Sequence, residues 1–134
     1  MNKVAIPEKM EKYYGEGIML HPDREMVETL MFQIPAGKVA TIDALCAKLA
    51  WDHDTDVTCP LRTGNFVKEV TEQSQAGKTD VPYWRVIRKN LRLINSPFVE
   101  SCAEKLDKEG VAVHRNNKGE FQVSGVKDRL FTFL

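Results

Sequence analysis

The sequence predicts a mainly α-helical domain with short β hairpins, arranged like a winged helix-turn-helix. Two amphipathic segments, at residues 41–50 and 58–73, carry apolar residues at helical spacing and are separated by the polar run 51–56. A short extended segment with several basic residues follows at 86–94 and takes the place of the wing. In this arrangement the second helix of the pair is presented to a nucleic-acid groove.

Three helices are predicted from their caps and apolar stripes. The first should cover about 23–33, with Pro22 at its start. Thr41 is the predicted N-cap of the second, because its hydroxyl can accept a hydrogen bond from a free N–H of the first turn. The third should cover about 58–73, with Pro60 at its first position. The pair formed by the second and third helices is the core of the predicted architecture.

The second half of the chain is predicted to alternate extended pieces with one more helix. Val81–Ile87 should form a short buried strand that exposes an aromatic pair, and Leu91–Ile94 a second extended piece. Further on we expect a fourth helix capped by Ser96 and Pro97 and stopped at Gly110, then a hairpin of Val111–His114 and Glu120–Val123 around the turn Asn116–Gly119.

Length and composition indicate one globular domain. The chain has 134 residues, of which 43% are hydrophobic and 28% charged, enough to bury a core. Residues 1–20 are a poorly patterned lead-in, with Tyr13 and Tyr14 as its candidates for docking, before a domain at residues 21–134. No apolar run approaches a membrane span and the lead-in lacks an apolar signal core. We therefore expect a cytoplasmic monomer that has no membrane partner.

Neither a metal nor a cofactor is predicted. An EF-hand calcium loop that starts at Asp52 would need a glycine at its sixth position and an acid at its twelfth. Those positions hold Val57 and Thr63, so the acidic run 51–56 is not predicted to bind calcium. The cysteines are odd in number, share no metal-ligand spacing and are expected as reduced core thiols. They are Cys46, Cys59 and Cys102.

Charge is distributed unevenly although the chain is neutral overall. Residues 1–57 hold 6 basic and 10 acidic side chains, whereas residues 62–92 hold 7 basic and 3 acidic ones. A compact domain with one basic third is typical of a protein that binds a polyanion on one face. A solvated charged face is the alternative.

Five segments of the chain, in order, carry a resemblance to a known family. They are the turn Ile34–Val39, the helix residues Gly64 and Lys68, the motif Pro82-x-x-Arg85-Val86-Ile87, and Leu106 with Glu109-Gly110-Val111. From about Asp23 to its end the chain resembles the C-terminal domain of the 6-O-alkylguanine-DNA alkyltransferases. The resemblance implies a DNA-binding domain for alkylated guanine.

The family's reaction is not expected here. In the active enzymes a cysteine and a histidine occupy the positions that Tyr83 and Trp84 hold in this chain. A phenol and an indole cannot replace a thiolate activated by a neighbouring base. The pattern is similar to the alkyltransferase-like proteins, which bind alkylated DNA and hand it to other repair machinery. The resemblance thus implies a non-enzymatic repair protein, with nucleotide excision repair proteins as possible partners.

The resemblance also indicates DNA-contacting residues. These are Leu61, Arg62, Gly64, Asn65 and Lys68 on the predicted third helix, and Arg88, Lys89 and Arg92 on the wing. Two positions depart from the family. Leu61 stands where the family has its base-flipping arginine, and the nearest arginine, Arg62, is the next residue. Ile42 stands where the family has a tyrosine in the preceding helix. Leu61 is an apolar wedge candidate, since other DNA-bending proteins use leucine in this way.

The most specific hypothesis about a site is a pocket that binds a nucleic-acid base. Tyr83, Trp84 and Arg85 are its predicted residues, since aromatic rings can stack on a base. The alternatives are that one ring belongs to the core and that Arg85 supports the segment by hydrogen bonds. Two other functions stay open: a protein-interaction module on the same fold with decayed DNA binding, and a methyltransferase that acts through another cysteine.

Overall fold

The computed structural model describes residues 2–94 and 98–133. Its helices are α1 (Glu11–Tyr14), α2 (Arg24–Gln33), α3 (Ile42–Asp52), α4 (Pro60–Gln75) and α5 (Val99–Lys108). Its strands are β1 (Lys3–Ala5), β2 (Ile18–Leu20), β3 (Ala40–Thr41), β4 (Val57–Thr58), β5 (Val86–Ile87), β6 (Val113–Arg115) and β7 (Phe121–Val123). The predicted class, mainly α with short β hairpins, is confirmed. Within the described ranges no helix is long and apolar enough to cross a membrane.

The helices begin where their cap residues require. The Asp23 carboxylate accepts a hydrogen bond from the N–H of Met26 at 2.9 Å, and the Thr41 hydroxyl accepts one from Ala44 at 3.1 Å. Pro60 occupies the first turn of α4, where its missing N–H costs nothing. The predicted bounds of α2, α3 and α4 are therefore close to those observed.

The core lies between α2, α3 and α4 and extends to the segment around β5. Its fully buried side chains include Val27, Met31, Leu45, Val67 and Ile87. Two threonines on the buried face of α4 donate their hydroxyls to the backbone carbonyl four residues earlier, so neither hydroxyl is left without a partner. They are Thr63 and Thr71.

Residues 3–20 are joined to the body by a small sheet of order β1-β2-β4. β2 pairs in parallel with β4, the strand that leads into α4, and Met19 and Ile6 pack on Cys59 at the start of that helix. Tyr13 is 71% exposed, so the expectation that the tyrosines dock this segment is wrong for Tyr13. These strands are two or three residues long and their burial does not alternate, so hydrophobic periodicity could not predict the sheet.

Val81–Ile87 is not a continuous strand. Residues Tyr83–Arg85 form a 3-10 turn, closed by a hydrogen bond from the N–H of Arg85 to the carbonyl of Pro82 at 3.1 Å. Only Val86 and Ile87 are extended, and they pair in parallel with Ala40 and Thr41. The predicted strand was too long because Pro82 cannot donate a ladder hydrogen bond. The turn packs against α4 and α5, and β5 lies beside β3, the strand that leads into α3.

The predicted second hairpin is present, and the predicted wing is reduced to a turn. β6 and β7 pair antiparallel around Asn116–Gly119, as expected. At residues 88–92 the chain turns with Leu91 at φ +68°, and one bridge joins Ile87 to Leu93. The predicted caps Ser96 and Pro97 lie outside the described residues; α5 itself is present.

Candidate nucleic-acid interface

The face of α4 that points away from the core is a continuous stripe. Leu61, Gly64, Asn65 and Lys68 recur at the i, i+3, i+4 and i+7 positions that share one side of a helix. Leu61 is 73% exposed, whereas Val67 on the opposite side is fully buried. The exposed side of α4 is therefore apolar at its start, at Leu61, and polar further along, at Asn65 and Lys68.

Gly64 leaves the backbone of α4 open. A Cβ added there would have no heavy atom within 4 Å, so the packing of this protein does not require a glycine. Glycine inside a helix costs roughly 0.5–1 kcal/mol relative to alanine. The site therefore keeps a destabilising residue at the centre of its exposed stripe, where another molecule's backbone can approach closely.

Arg62 is exposed but lies one residue from the stripe. One residue on an α-helix corresponds to a rotation of about 100°. The arginine is therefore directed to a different side of α4 from Leu61. Ile42, at the first position of α3, is half-buried and packs against the core.

The turn at residues 88–92 adds two exposed cations. Arg88 and Lys89 are solvent-exposed, whereas Arg92 forms an ion pair with Glu120 at 2.9 Å. Lys89 lines a cleft of about 490 Å³ together with Pro60, at the start of α4, and Asp43, at the start of α3. The turn and the first turn of α4 thus border the same cleft. This places Lys89 near the starts of α3 and α4.

Tyr83 belongs to the core. It is 3% exposed, and its hydroxyl donates to Oε1 of Gln75, at the end of α4, at 2.6 Å. Burial raises the pKa of Tyr83, although a hydrogen bond with Ser101 acts in the opposite direction. Its ring packs edge-on against Trp84 with centroids 5.2 Å apart. The prediction that the segment exposes both rings is therefore wrong for Tyr83.

Trp84 and Arg85 are both held by Glu109, at the end of α5. The indole N–H donates to Oε2 of Glu109 at 3.0 Å, and Arg85 donates Nη2 to the same oxygen at 2.6 Å and Nε to Oε1 at 3.1 Å. Glu109 also accepts from the N–H of Gly37 at 3.3 Å, and Arg85 donates to the carbonyl of Ile34 at 2.7 Å. The carboxylate thereby joins three segments that are distant in sequence.

These contacts determine the charge of Glu109. Burial acts to raise the pKa of Glu109, but hydrogen bonds from Arg85, Trp84 and Gly37 outweigh it and hold the pKa below its ordinary value. The carboxylate is thus ionised at neutral pH. Two cations, Arg85 and Lys105, lie about 5 Å from the Trp84 ring (5.2 and 5.1 Å) and further restrict the indole.

No described thiol is poised to act as a nucleophile. Cys46 is half-buried and Cys59 and Cys102 are buried. Burial raises the pKa of Cys46, and it raises that of Cys102 to about 11. A nucleophilic thiol requires the opposite shift. No group of three candidate metal ligands occurs among the described residues.

Sequence reasoning missed two contacts that define this region. Gln75 lay beyond the predicted end of the third helix, yet its side chain accepts the Tyr83 hydroxyl. The Trp84–Glu109 hydrogen bond joins residues 25 positions apart, a separation that no local pattern reports. The one available signal was the resemblance, which implies that in the active enzymes a glutamate at the position of Glu109 orients the histidine that Trp84 replaces here.

Comparison with protein-family models and with curated protein sequences gives no match. Two solved structures are similar in fold. One is Atl1 from S. pombe in complex with damaged DNA that contains O6-carboxymethylguanine, with a TM-score of 0.64 and 19% identity over 82% of this chain and 94% of that one. The other is S. pombe ATL in complex with DNA, with a TM-score of 0.63, 19% identity and the same coverage. This chain therefore has the alkyltransferase-like fold.

Proposed function

We propose that this protein binds double-stranded DNA, recognises 6-O-alkylated guanine and acts in DNA repair without being an enzyme. The observation that carries the proposal is the outward stripe of α4, on a fold that Atl1 uses in a complex with damaged DNA. Leucine, glycine, asparagine and lysine on one helical face suit a groove-facing helix, since together they provide an apolar contact, close backbone approach and polar contacts.

Each residue of the interface has a distinct proposed role. Lys68, Arg88 and Lys89 contact phosphates, and Asn65 hydrogen-bonds to the DNA. Leu61 is the wedge that enters the base stack, because it is the exposed apolar residue of the helix. Arg62 and Arg92 take peripheral backbone contacts, since one is rotated off the stripe and the other is paired with Glu120.

Base inspection is assigned to Trp84, with Tyr83 and Arg85 as its supports. The indole is partly exposed, whereas Tyr83 is buried behind it and Arg85 is bound to Glu109. An aromatic face can stack on any base and gains roughly 1–3 kcal/mol. The predicted base pocket thus depends on one ring that a rigid network positions.

The absence of alkyl transfer follows from the chemistry at position 83. Tyr83 is a neutral buried phenol whose hydroxyl is engaged by Gln75. Such a group is not an activated nucleophile, and the Trp84 indole is no base. Recognition without reaction leaves the lesion in place. Handing the DNA to other proteins, nucleotide excision repair proteins among them, is therefore part of the proposal.

Residues 21–134 form the DNA-binding domain in this proposal, and the protein acts as a cytoplasmic monomer. Residues 3–20 have a supporting role, because β2 pairs with β4 and because Ile6 and Met19 pack on Cys59 at the start of α4. The lead-in thereby fixes the position of the helix that faces the groove.

The proposal is tested by titrating labelled duplexes that differ in one 6-O-methylguanine, at several salt concentrations. We expect tighter binding of the lesion duplex and affinity that falls as salt rises, since phosphate contacts release counterions. Equal affinity for the two duplexes, or affinity independent of salt, would refute it.

A protein-interaction module is the second candidate. Zero net charge, the displaced Arg62 and the ion-paired Arg92 favour it. The double variant Lys68→Glu/Arg88→Glu separates the two functions. Loss of DNA affinity in that variant supports the first, and unchanged affinity supports the second.

A further inference from the structure

Lys105 is a cation to which the proposed function gives no role. It lies in the last turn of α5 and is half-buried, with its ammonium nitrogen 5.1 Å from the centroid of the Trp84 ring. No carboxylate among the described residues forms an ion pair with it. The contact that the described part of the chain gives this ammonium is therefore the attraction of a cation to an aromatic face.

The position of this ammonium is set by α5. Lys105 and Glu109 are four residues apart, so they lie one above the other on the same side of the helix. Glu109 accepts the indole N–H of Trp84 at 3.0 Å, while Lys105 lies over the face of the same ring. Cys102 and Leu106 are buried and fix the helix against the core. The backbone of α5 thus presents one charged group to the edge of the indole and one to its face.

The second cation at the ring, Arg85, has its donors engaged. Its Nε and Nη2 donate to Glu109 at 3.1 and 2.6 Å, and its Nη1 donates to the carbonyl of Ile34 at 2.7 Å. The ammonium of Lys105 has three donors and makes no hydrogen bond to the described part of the chain. Of the two cations beside Trp84, Lys105 is therefore the one that can donate to a bound molecule.

The chemistry of an ammonium decides which edge of a base it can contact. An ammonium only donates hydrogen bonds, so the edge must accept them. Guanine presents the neighbouring acceptors N7 and O6, to which lysine commonly donates, whereas adenine presents N7 beside an amino group that itself donates. A 6-O-alkylated guanine keeps N7 and carries no N–H at position 6. A purine that is alkylated on a nitrogen at that position would point a donor at the ammonium.

We propose that Lys105 is a specificity-determining residue, which donates to the N7 and O6 edge of the base that contacts Trp84. The side chain is long and flexible, so the ammonium can leave the ring for the base edge without a movement of α5. The inference rests on the proposed function, since it requires a base that has left the stack and reached Trp84. It narrows the ligand class to purines alkylated on oxygen at position 6, against those alkylated on nitrogen.

Two bases that differ in one group test this inference. They are 6-O-methylguanine and 2-amino-6-(methylamino)purine, which carry the same methyl group on an oxygen or on an N–H. Each is placed opposite cytosine in one duplex sequence and titrated, beside unmodified guanine, with the wild type and with Lys105→Met. The cost of extruding a base is the same for both proteins, so the change in preference isolates the contact with Lys105. We expect the variant's preference for the oxygen base to fall by about tenfold.

Lys108→Met is the matched control, since Lys108 is in the same last turn of α5 but exposed, and its loss should leave the preference unchanged. A merely structural role for Lys105, or a contact with a phosphate, would weaken all three duplexes by the same factor in Lys105→Met and would overturn the inference.

The failure of this inference can be told apart from the failure of the proposed function. A wild type that prefers 6-O-methylguanine to guanine, with the same oxygen preference in Lys105→Met, overturns the inference alone. A wild type that binds all three duplexes equally overturns the proposed function and the inference with it.

Discussion

Glu109 accepts hydrogen bonds from three residues: Trp84, Arg85 and, through its backbone N–H, Gly37. In the enzymes that this chain resembles, the corresponding glutamate orients the catalytic histidine. Here the indole N–H of Trp84 donates to this carboxylate, and an indole is no base. At the scale of single residues, Glu109 is the centre of a hydrogen-bond network that positions Trp84 and Arg85.

Replacing Glu109 with glutamine should lower stability by about 2–3 kcal/mol, because the Arg85 guanidinium loses its charged partner. The pH dependence should change as well. Glu109 has a lowered pKa in the folded state, so the unfolded state takes up the proton first as pH falls. The wild type should therefore lose stability as pH drops below about 5, and Glu109→Gln should lose less.

Urea denaturation between neutral and acid pH measures this difference. Glu104→Gln is the control, since Glu104 is exposed on the same helix. Equal stability losses in the two variants at neutral pH would contradict the role given to Glu109.

Tyr83→Cys should not create an alkyltransferase. The new thiol would occupy a buried site, where desolvation disfavours the thiolate, and Trp84 offers no base. Mass spectrometry after incubation with methylated duplex should find protein of unchanged mass. A gain of one methyl group in this variant, or in the wild type through another cysteine, would contradict the account.

At the scale of elements, α4 combines a buried face that fixes its position with a face that no described part of the chain covers. Thr63, Val67 and Val70 anchor it, and Tyr83 is tied to its last residue, Gln75. The exposed stripe is therefore rigidly placed. Two substitutions on that stripe test what it contacts.

Gly64→Ala should stabilise the free protein by about 0.5–1 kcal/mol, because alanine is the better helix former and its Cβ meets nothing. The same methyl group should reduce DNA affinity by about tenfold, or 1.4 kcal/mol, by keeping the DNA backbone away from the helix. Thermal melting and duplex titration measure the two effects. Higher stability with unchanged DNA affinity would show that no backbone approaches here.

Leu61→Ala should weaken binding of the lesion duplex by about tenfold while leaving the salt dependence unchanged, because no charge is removed. Stability should not change, since the side chain is exposed. Titration at several salt concentrations measures this, with Phe32→Ala on α2 as the control. A lesion preference equal to that of the wild type would remove Leu61 from the recognition step.

Local signals located α2, α3 and α4. Thr41 caps α3 and Pro60 stands in the first turn of α4 as predicted, whereas α2 is capped by Asp23 and Pro22 precedes that cap. They failed where long-range contacts decide. The 3-10 turn at Tyr83–Arg85 is fixed by Glu109 and by Gln75, and the sheet β1-β2-β4 by pairing across 38 residues. Helical spacing thus predicted that Asn65 and Lys68 point away from the core, but no local pattern predicted the burial of Tyr83.

At the scale of the whole molecule, zero net charge conceals two surfaces of different character. One surface carries the exposed stripe of α4 and the cations of the turn at 88–92; the other, around Trp51, Phe131 and Phe133, is mostly apolar. In our proposal the first of these surfaces binds DNA.

Native mass spectrometry of the protein with equal amounts of two duplexes, one carrying a single 6-O-methylguanine and one undamaged, tests the central claim most directly. The two complexes differ in mass, so lesion preference and alkyl transfer are read in the same spectrum. The account predicts mainly the complex with the methylated duplex, with protein and DNA masses both unchanged. Equal occupancy of the two duplexes, or a protein heavier by one methyl group, would contradict it.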